Sequence, residues 1–257
     1  MKKDKKRKLS EKIIPAAVIF AVLIIWQAVC SLGLVPSYML PSPINVVKAF
    51  INDFWLLMAH SRVTLLEAVL GLSIGVLLGF LCAALMDAFP PLKSALYPIL
   101  VLTQTIPPVA IAPLLILWFS YGISPKVILV VLVAFFPMAV GLLEGFQSVD
   151  QDMIKLMKSM KANKWQIFWN VKFPNALGAF FSGLKIAVAY SVVGAVIAEW
   201  LGGFNGLGVY MTRVKKSLSY DKMFAVIFFV SAISLILMGL VKVLQYKAMP
   251  WEHVKEK

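Results

Sequence analysis

Residues that could do chemistry are few in this chain, and most of them lie inside apolar runs. The sharpest is Glu199, near the end of KIAVAYSVVGAVIAEW, because a carboxylate in hydrocarbon is costly and normally faces a bundle interior or a cavity. Two readings stay open for it: a proton or cation role, or placement at the membrane interface beside Trp200, the second being favoured. Lys185 opens the same run, but the helix between them spans about 21 Å, so the two cannot pair. Lys185 is expected to snorkel to the interface. Tyr190 and Ser191 are the other polar groups of this run. Gln104 and Thr105 precede Pro107 and Pro108 in TQTIPPVAIAPLLILWFSYG, which also contains Pro113. Each proline removes a backbone donor and crowds the preceding turn, so this helix must kink or break. Broken backbone in hydrocarbon survives only where protein or a water-filled cavity shelters it. Gln104, Thr105, Pro107, Tyr190, Ser191 and Glu199 are therefore the candidates for a translocation pathway; a static kink packed against neighbours accounts for the prolines equally well.

Nothing is arranged for catalysis, and the chain is read as no enzyme. His60 and His253 stand isolated near expected interfaces, and no metal-ligand set is visible. Cys30 and Cys82 fall in apolar runs with neither disulfide nor metal spacing and read as packing residues. The loop GGFNGLG (202–208) is glycine-rich but follows an apolar helix and lacks a terminal G-K-[ST], so it is no phosphate cradle. No cofactor is expected on this chain; if ATP drives the protein, a partner subunit hydrolyses it.

The elements that must position these residues are membrane helices. Of 257 residues, 61% are hydrophobic and only 14% charged, well below the quarter usual for a soluble domain. Six runs long enough to cross a bilayer are expected, at about 13–34, 64–86, 93–119, 126–146, 177–199 and 223–245. The predicted architecture is an all-α integral membrane protein. A basic segment (1–12) precedes one transmembrane domain (13–245, with a polar loop at 147–176), and a short tail (246–257) follows. Of the 25 Lys and Arg, 17 fall on one side if the N-terminus is cytoplasmic and 7 on the other, with Lys185 in a span, so both termini are predicted to be cytoplasmic. The formal charge of +13 then reflects topology beside anionic headgroups, and nucleic-acid binding is not expected. The first apolar run is too long for a signal peptide and lacks an A-x-A site, so it reads as a membrane helix. Between the first two spans, prolines 36, 41 and 43 lead into an amphipathic helix over 44–59 on the outer face. Gly71, Gly75 and Gly79, spaced by four, give one helix a bare face for close packing, and Gly141 with Gly145 form a similar pair after Pro137.

One stretch does not fit a spanning role. Residues 150–176, DQDMIKLMKSMKANKWQIFWNVKFPNA, are polar and basic, and read as one or two short amphipathic helices at the membrane surface. Met153, Leu156, Met157 and Met160 recur at helical spacing and supply an apolar face, suited to a partner's groove or to lipid headgroups.

This stretch resembles the cytoplasmic "EAA" loop of ABC-importer permeases. Its tail, AxxWQIFWxVxFPNA with Ala162, Pro174 and Ala176, matches well. Its head departs: Lys155, Leu156 and Met157 stand where the family has Glu-Ala-Ala, and Lys161 where it has Gly. LPSPINVVKAF (40–50), the proline segment (103–122) and AFFPMAVG (134–141) look like the nitrate/sulfonate/taurine-type branch, and SGLKIAVAYSVVGAVIAEWLGG (182–203) is most similar to permeases for thiamine pyrimidine precursors and riboflavin. The resemblance implies a type I importer permease, one of two copies lining a pathway. A cytoplasmic ATP-binding subunit pair would dock on a coupling helix at about 150–162, through Met153, Lys155, Leu156, Met157, Met160, Lys161, Ala162 and Pro174. An extracytoplasmic solute-binding protein would deliver a vitamin precursor or flavin, or alternatively a sulfonate, taurine or nitrate-like anion. A stand-alone secondary carrier or channel using Glu199 and the broken helix is the reading from a different class.

Overall fold

The computed structural model describes the backbone of residues 2–251 and the side chains of 14, 15 and 17–251. The side chains of the basic head, and the tail beyond 251 with His253, lie outside the described residues. Every regular element among the described residues is helical. In order these are α1 (Lys2–Ser31), α2 (Pro43–Asn52), α3 (Phe54–Ala88), α4 (Pro90–Thr103), α5 (Pro108–Phe119), α6 (Ser124–Gln147), α7 (Gln151–Ser159) and α8 (Lys164–Ile167). A π-helical turn (Phe168–Lys172) then leads into α9 (Phe173–Leu201), followed by α10 (Leu207–Lys216) and α11 (Tyr220–Ala248).

Among the described residues, four helices are long and apolar enough to cross a membrane: α3, α6, the run Lys164–Leu201 and α11. The expected third span begins earlier, at Pro90, and is broken between Thr103 and Pro108, its two halves bent by 100°. The prolines cause this, since Pro107 and Pro108 cannot donate to the preceding turn. Within the expected first span the chain is helical throughout to Ser31 as part of α1, and Ala17–Ser31 of it is apolar. The helix expected over 44–59 is corrected: α2 stops at Asn52, and 54–59 already belong to α3.

The chain divides into two units. The first joins residues up to Met58 to Met211–Phe229. Ser42 caps α2 by accepting from the Asn45 N–H, with Pro43 in the first turn where its missing donor costs nothing. Val46 and Ala49 of α2 are buried with Ala225, and Trp26 lies 5.8 Å from Phe224 and 6.0 Å from Phe228, ring centre to ring centre. Lys222 pairs with Asp53 at 2.8 Å.

The second unit, Ala59–Tyr210 with the chain from Val230 onward, holds the main bundle. Here α6 packs between α3 and α9. A Cβ at Gly71 would collide with Val130, one at Gly75 would lie 2.9 Å from Ala134 Cβ, and one at Gly79 2.7 Å from Met138 Cβ. The bare face read from the sequence is thus the face against α6. Gly145 does the same for α9, where a Cβ would lie 2.8 Å from Ala179 Cβ. Gly141 is corrected: among the described residues nothing lies within 4 Å of its would-be Cβ, so it makes no close approach to them. Met138, Leu142, Leu143 and Phe146 of α6 form the centre of the core with Ala83, Met86, Ala176 and Ala187.

Gly75→Val should lower the thermal unfolding midpoint in detergent, with a loss of about 1–3 kcal/mol from overpacking against α6. Gly141→Ala should leave that midpoint unchanged or raise it by up to about 1 kcal/mol through helix propensity.

Candidate functional site

Three places in the second unit concentrate polar or unpaired groups. The first lies towards the Phe54 end of α3. His60, Thr64 and Glu67, all buried, share one face of that helix. Glu199, two residues before the end of α9, is also buried, at 1% exposure, and its carboxylate is held within the protein. Thr64 Oγ1 donates to Glu199 Oε1 at 2.7 Å and accepts from the Leu207 N–H at 2.9 Å. The Gly208 N–H donates to Glu199 Oε2 at 2.6 Å, and the Gly206 N–H to His60 Nδ1 at 3.0 Å. The first N–H groups of α10, which have no partner within a helix, are therefore satisfied by three side chains from α3 and α9, and one of these is a carboxylate at the positive end of the helix. His60, expected to be isolated, instead accepts the Gly206 N–H, and this role requires the neutral ring with hydrogen on Nε2.

This arrangement explains the glycines of GGFNGLG. Gly206 has φ +127°, and a Cβ there would collide with the Glu199 carboxylate; a Cβ on Gly208 would strike the Val196 carbonyl. Beside this network, Glu67 pairs with Lys126 at 2.7 Å, both side chains buried, while Glu67 Oε2 has no partner among the described residues. Lys126, counted in the sequence as an outer-loop cation, is thus an internal tie between α3 and α6. Thr64 and Glu67 were not singled out from the sequence. The signal was present, because His60, Thr64 and Glu67 recur at i, i+4 and i+7 in a largely apolar helix.

The second place is the break between α4 and α5. It opens on a cavity of about 470 Å3 whose wall includes Thr103, Gln104, Ile106, Pro108, Phe136 and Tyr190. Of the expected pathway residues, Gln104 and Tyr190 meet here. Thr105 turns its hydroxyl back to the Leu102 carbonyl at 2.7 Å, and Pro107 precedes α5 as its N-cap. Ser191 is buried and bonds the Val188 carbonyl at 2.8 Å. Glu199 is held in the network above. Lys185 donates to Gln245 at 2.6 Å, where snorkelling was expected.

The third place is the polar loop. Asp150 caps α7 by accepting from the Asp152 N–H at 2.9 Å, and Asn163 and Gln166 cap α8 reciprocally. The helix expected over 150–162 is Gln151–Ser159, and the second short helix runs on through the π turn into α9. Met153, Leu156 and Met160 are exposed at 51, 57 and 71%, whereas Met157 is half-buried. Lys155 pairs with Asp152 on the surface of α7 at 2.8 Å. Lys161 has φ +58°, with its N–H bonded to the Lys158 carbonyl and the Ala162 N–H to the Met157 carbonyl. These bonds form a Schellman end, where glycine is favoured because it has no Cβ to clash. Lys172 grips Asp87 at the end of α3 at 2.7 Å, and Lys93 donates to Gln147 at 2.9 Å, so the 87–93 and 147–176 segments share one end of the bundle as the charge pattern required. Pro174 sits in the first turn of α9, and Ala176 lies buried against Gly145.

Residues 75–248, about two-thirds of the chain, match the family described as binding-protein-dependent transport system inner membrane component. The chain belongs to this family. A probable ABC transporter permease of Haemophilus influenzae is 40% identical over 87% of this chain and 91% of its own length. The formylaminopyrimidine transport permease ThiX of Halalkalibacterium halodurans is 35% identical over 92% and 95% respectively, and the riboflavin permease RibX of Chloroflexus aurantiacus 30% over 90% and 87%. Among solved structures, an inward-facing form of the MetNI methionine ABC transporter aligns with a TM-score of 0.63 at 18% identity, covering 77% of this chain and 97% of that one, which shows the fold. The protein is an all-helical, multi-pass permease component of an ABC importer with the type I fold. In this ABC permease Lys161, which the sequence resemblance sets against a glycine, falls at a positive-φ helix end and occupies it at a steric cost.

Lys161→Gly should therefore raise the permease's unfolding midpoint, by about 1 kcal/mol less the entropy cost of glycine. Lys126→Met should cost about 3–5 kcal/mol by stranding the Glu67 carboxylate, and adding Glu67→Leu should restore most of it. Unfolding of the single and double variants in detergent checks this, and equal losses in both would show that the ion pair is not the cause.

Proposed function

We infer that this permease imports a small uncharged aromatic heterocycle, of the formylaminopyrimidine kind, through the break between α4 and α5. The observation that carries this reading is the cavity wall: among the described residues no charged side chain lines it, while Gln104, Thr103 and Tyr190 offer hydrogen bonds and Phe136 a ring face. An anion entering this space would lose its hydration shell without meeting a cation. That argues against sulfonate, taurine or nitrate as the solute, although relatives with those names share 26–30% identity with this chain. The relatives named for formylaminopyrimidine and riboflavin point the same way as the wall.

In this reading two copies of the chain pair to enclose the pathway, and the membrane is the bacterial inner membrane. The excess of Lys and Arg on the side of the 147–176 loop supports cytoplasmic termini. ATP-binding subunits receive α7 through the exposed Met153, Leu156 and Met160, and a solute-binding protein delivers the ligand to the opposite side. Closure of the ATPase pair displaces α7, and the permease follows as a rigid body.

Uptake of labelled formylaminopyrimidine into vesicles containing ATP, both partner subunits and this permease tests the solute. Excess unlabelled pyrimidine should abolish uptake and taurine should leave it intact; competition by taurine alone would overturn the assignment. Leu156→Asp with Met160→Asp should reduce uptake at least about tenfold while the permease still inserts, because a buried carboxylate replaces an apolar contact at each position. Unchanged uptake would remove the coupling role of this face.

A further inference from the structure

On the other side of α7 lies a groove of about 560 Å3 that transport does not call upon. Its floor includes Leu81 and Leu85 of α3 with Ile154 and Phe168, and its rim carries Lys158 and Lys164. At about 100° per residue, Ile154 and Lys158 share one face of α7, roughly opposite Met153, Leu156 and Met160. The groove and the apolar docking face are therefore different surfaces of one helix.

The groove is both cationic and apolar, and the two characters lie at different depths. Asp87 and Lys172 in its wall neutralise each other at 2.7 Å. Lys158 and Lys164 are exposed and make no ion pair among the described residues, so two positive charges remain. Leu81 and Leu85 are about half exposed on a membrane-crossing helix that ends at Ala88, which places Leu81 about 10 Å inside that end. Trp165, 69% exposed, stands in the wall near the lysines, as indoles do at headgroup level. A water-soluble anion would leave the leucine floor uncovered, and a neutral hydrocarbon would leave the ammonium groups unmatched.

We propose that this groove binds one anionic phospholipid, its phosphate between Lys158 and Lys164 and one acyl chain along Leu81 and Leu85. The lipid then bridges α3 and α7, so the helix that presents the docking face rests on the bilayer as well as on protein.

Native mass spectrometry of the full-length protein in mild detergent, titrated with phosphatidylglycerol or with phosphatidylcholine of the same chains, tests this. One phosphatidylglycerol per chain should be retained in preference to phosphatidylcholine by about tenfold or more, given two lysines near the membrane surface. Lys158→Gln with Lys164→Gln should abolish that preference, while Lys247→Gln, an exposed lysine of α11, should keep it. Soluble glycerol phosphate should not displace the lipid. Equal retention of both lipids, an unchanged preference in the double variant, its loss in Lys247→Gln, or displacement by glycerol phosphate would each overturn the proposal. None of these readouts depends on transport, so failure here and failure of the solute assignment are distinguishable.

Discussion

The close approach of α6 to α3 and α9 is the constraint on which the rest of the main bundle depends. In hydrocarbon, burying apolar side chains against one another gains little over lipid contact, so helices associate where small residues let their backbones meet. Gly71, Gly75 and Gly79 provide that face on α3, and Gly145 and Gly183 provide it between α6 and α9. With the axes this near, polar groups at both ends come within bonding distance. Glu67, partway along α3, reaches Lys126 at the start of α6, and Asp87 reaches Lys172 at the far end of α3. The helix between Glu67 and Asp87 is about 30 Å long, close to the thickness of a hydrocarbon core. The bundle is thus bare and apolar along its middle and tied at both rims.

A bundle tied in this way would move as one piece. The segment after α7 is joined to it by aromatic contacts: Phe168 lies 5.2 Å from Phe146, and Phe173 5.9 Å from Phe80, ring centre to ring centre. A displacement applied at α7 would pass through these rings into α3 and α6 without melting any helix. The break between α4 and α5 is the contrasting element, where prolines have removed backbone donors and the wall of a cavity takes their place. The fold therefore separates a continuous, closely packed core from a discontinuous segment, the one proposed above to meet the solute.

Much of this was legible in the sequence because hydrocarbon leaves so few options. Long apolar runs had to be helices, the glycine ladder at 71–79 had to mark a close contact, and prolines 107 and 108 had to interrupt a span. The polar loop stood out by composition, and its family pattern led to the permease assignment. What the sequence did not disclose were pairings across long separations. Glu199 reads alone as an interfacial acid, and only the return of residues 206–208 to α3 turns it into a cap for α10. The partners of His60 and Lys126 stayed hidden for the same reason, since a partner far away in the chain leaves no local periodicity. Gly141 shows the opposite error, a spacing that suggests contact where no described residue approaches. Lys161 was visible as a departure from the family loop, but its positive φ, which gives that departure a physical cost, needed the helix end itself.

The most direct test of the central claim is to tag this chain, extract it gently from its native membrane and identify what co-purifies. An importer permease should bring with it an ATP-binding subunit and, with solute present, a solute-binding protein. Recovery of the chain alone, still able to transport in sealed vesicles without ATP, would contradict the account.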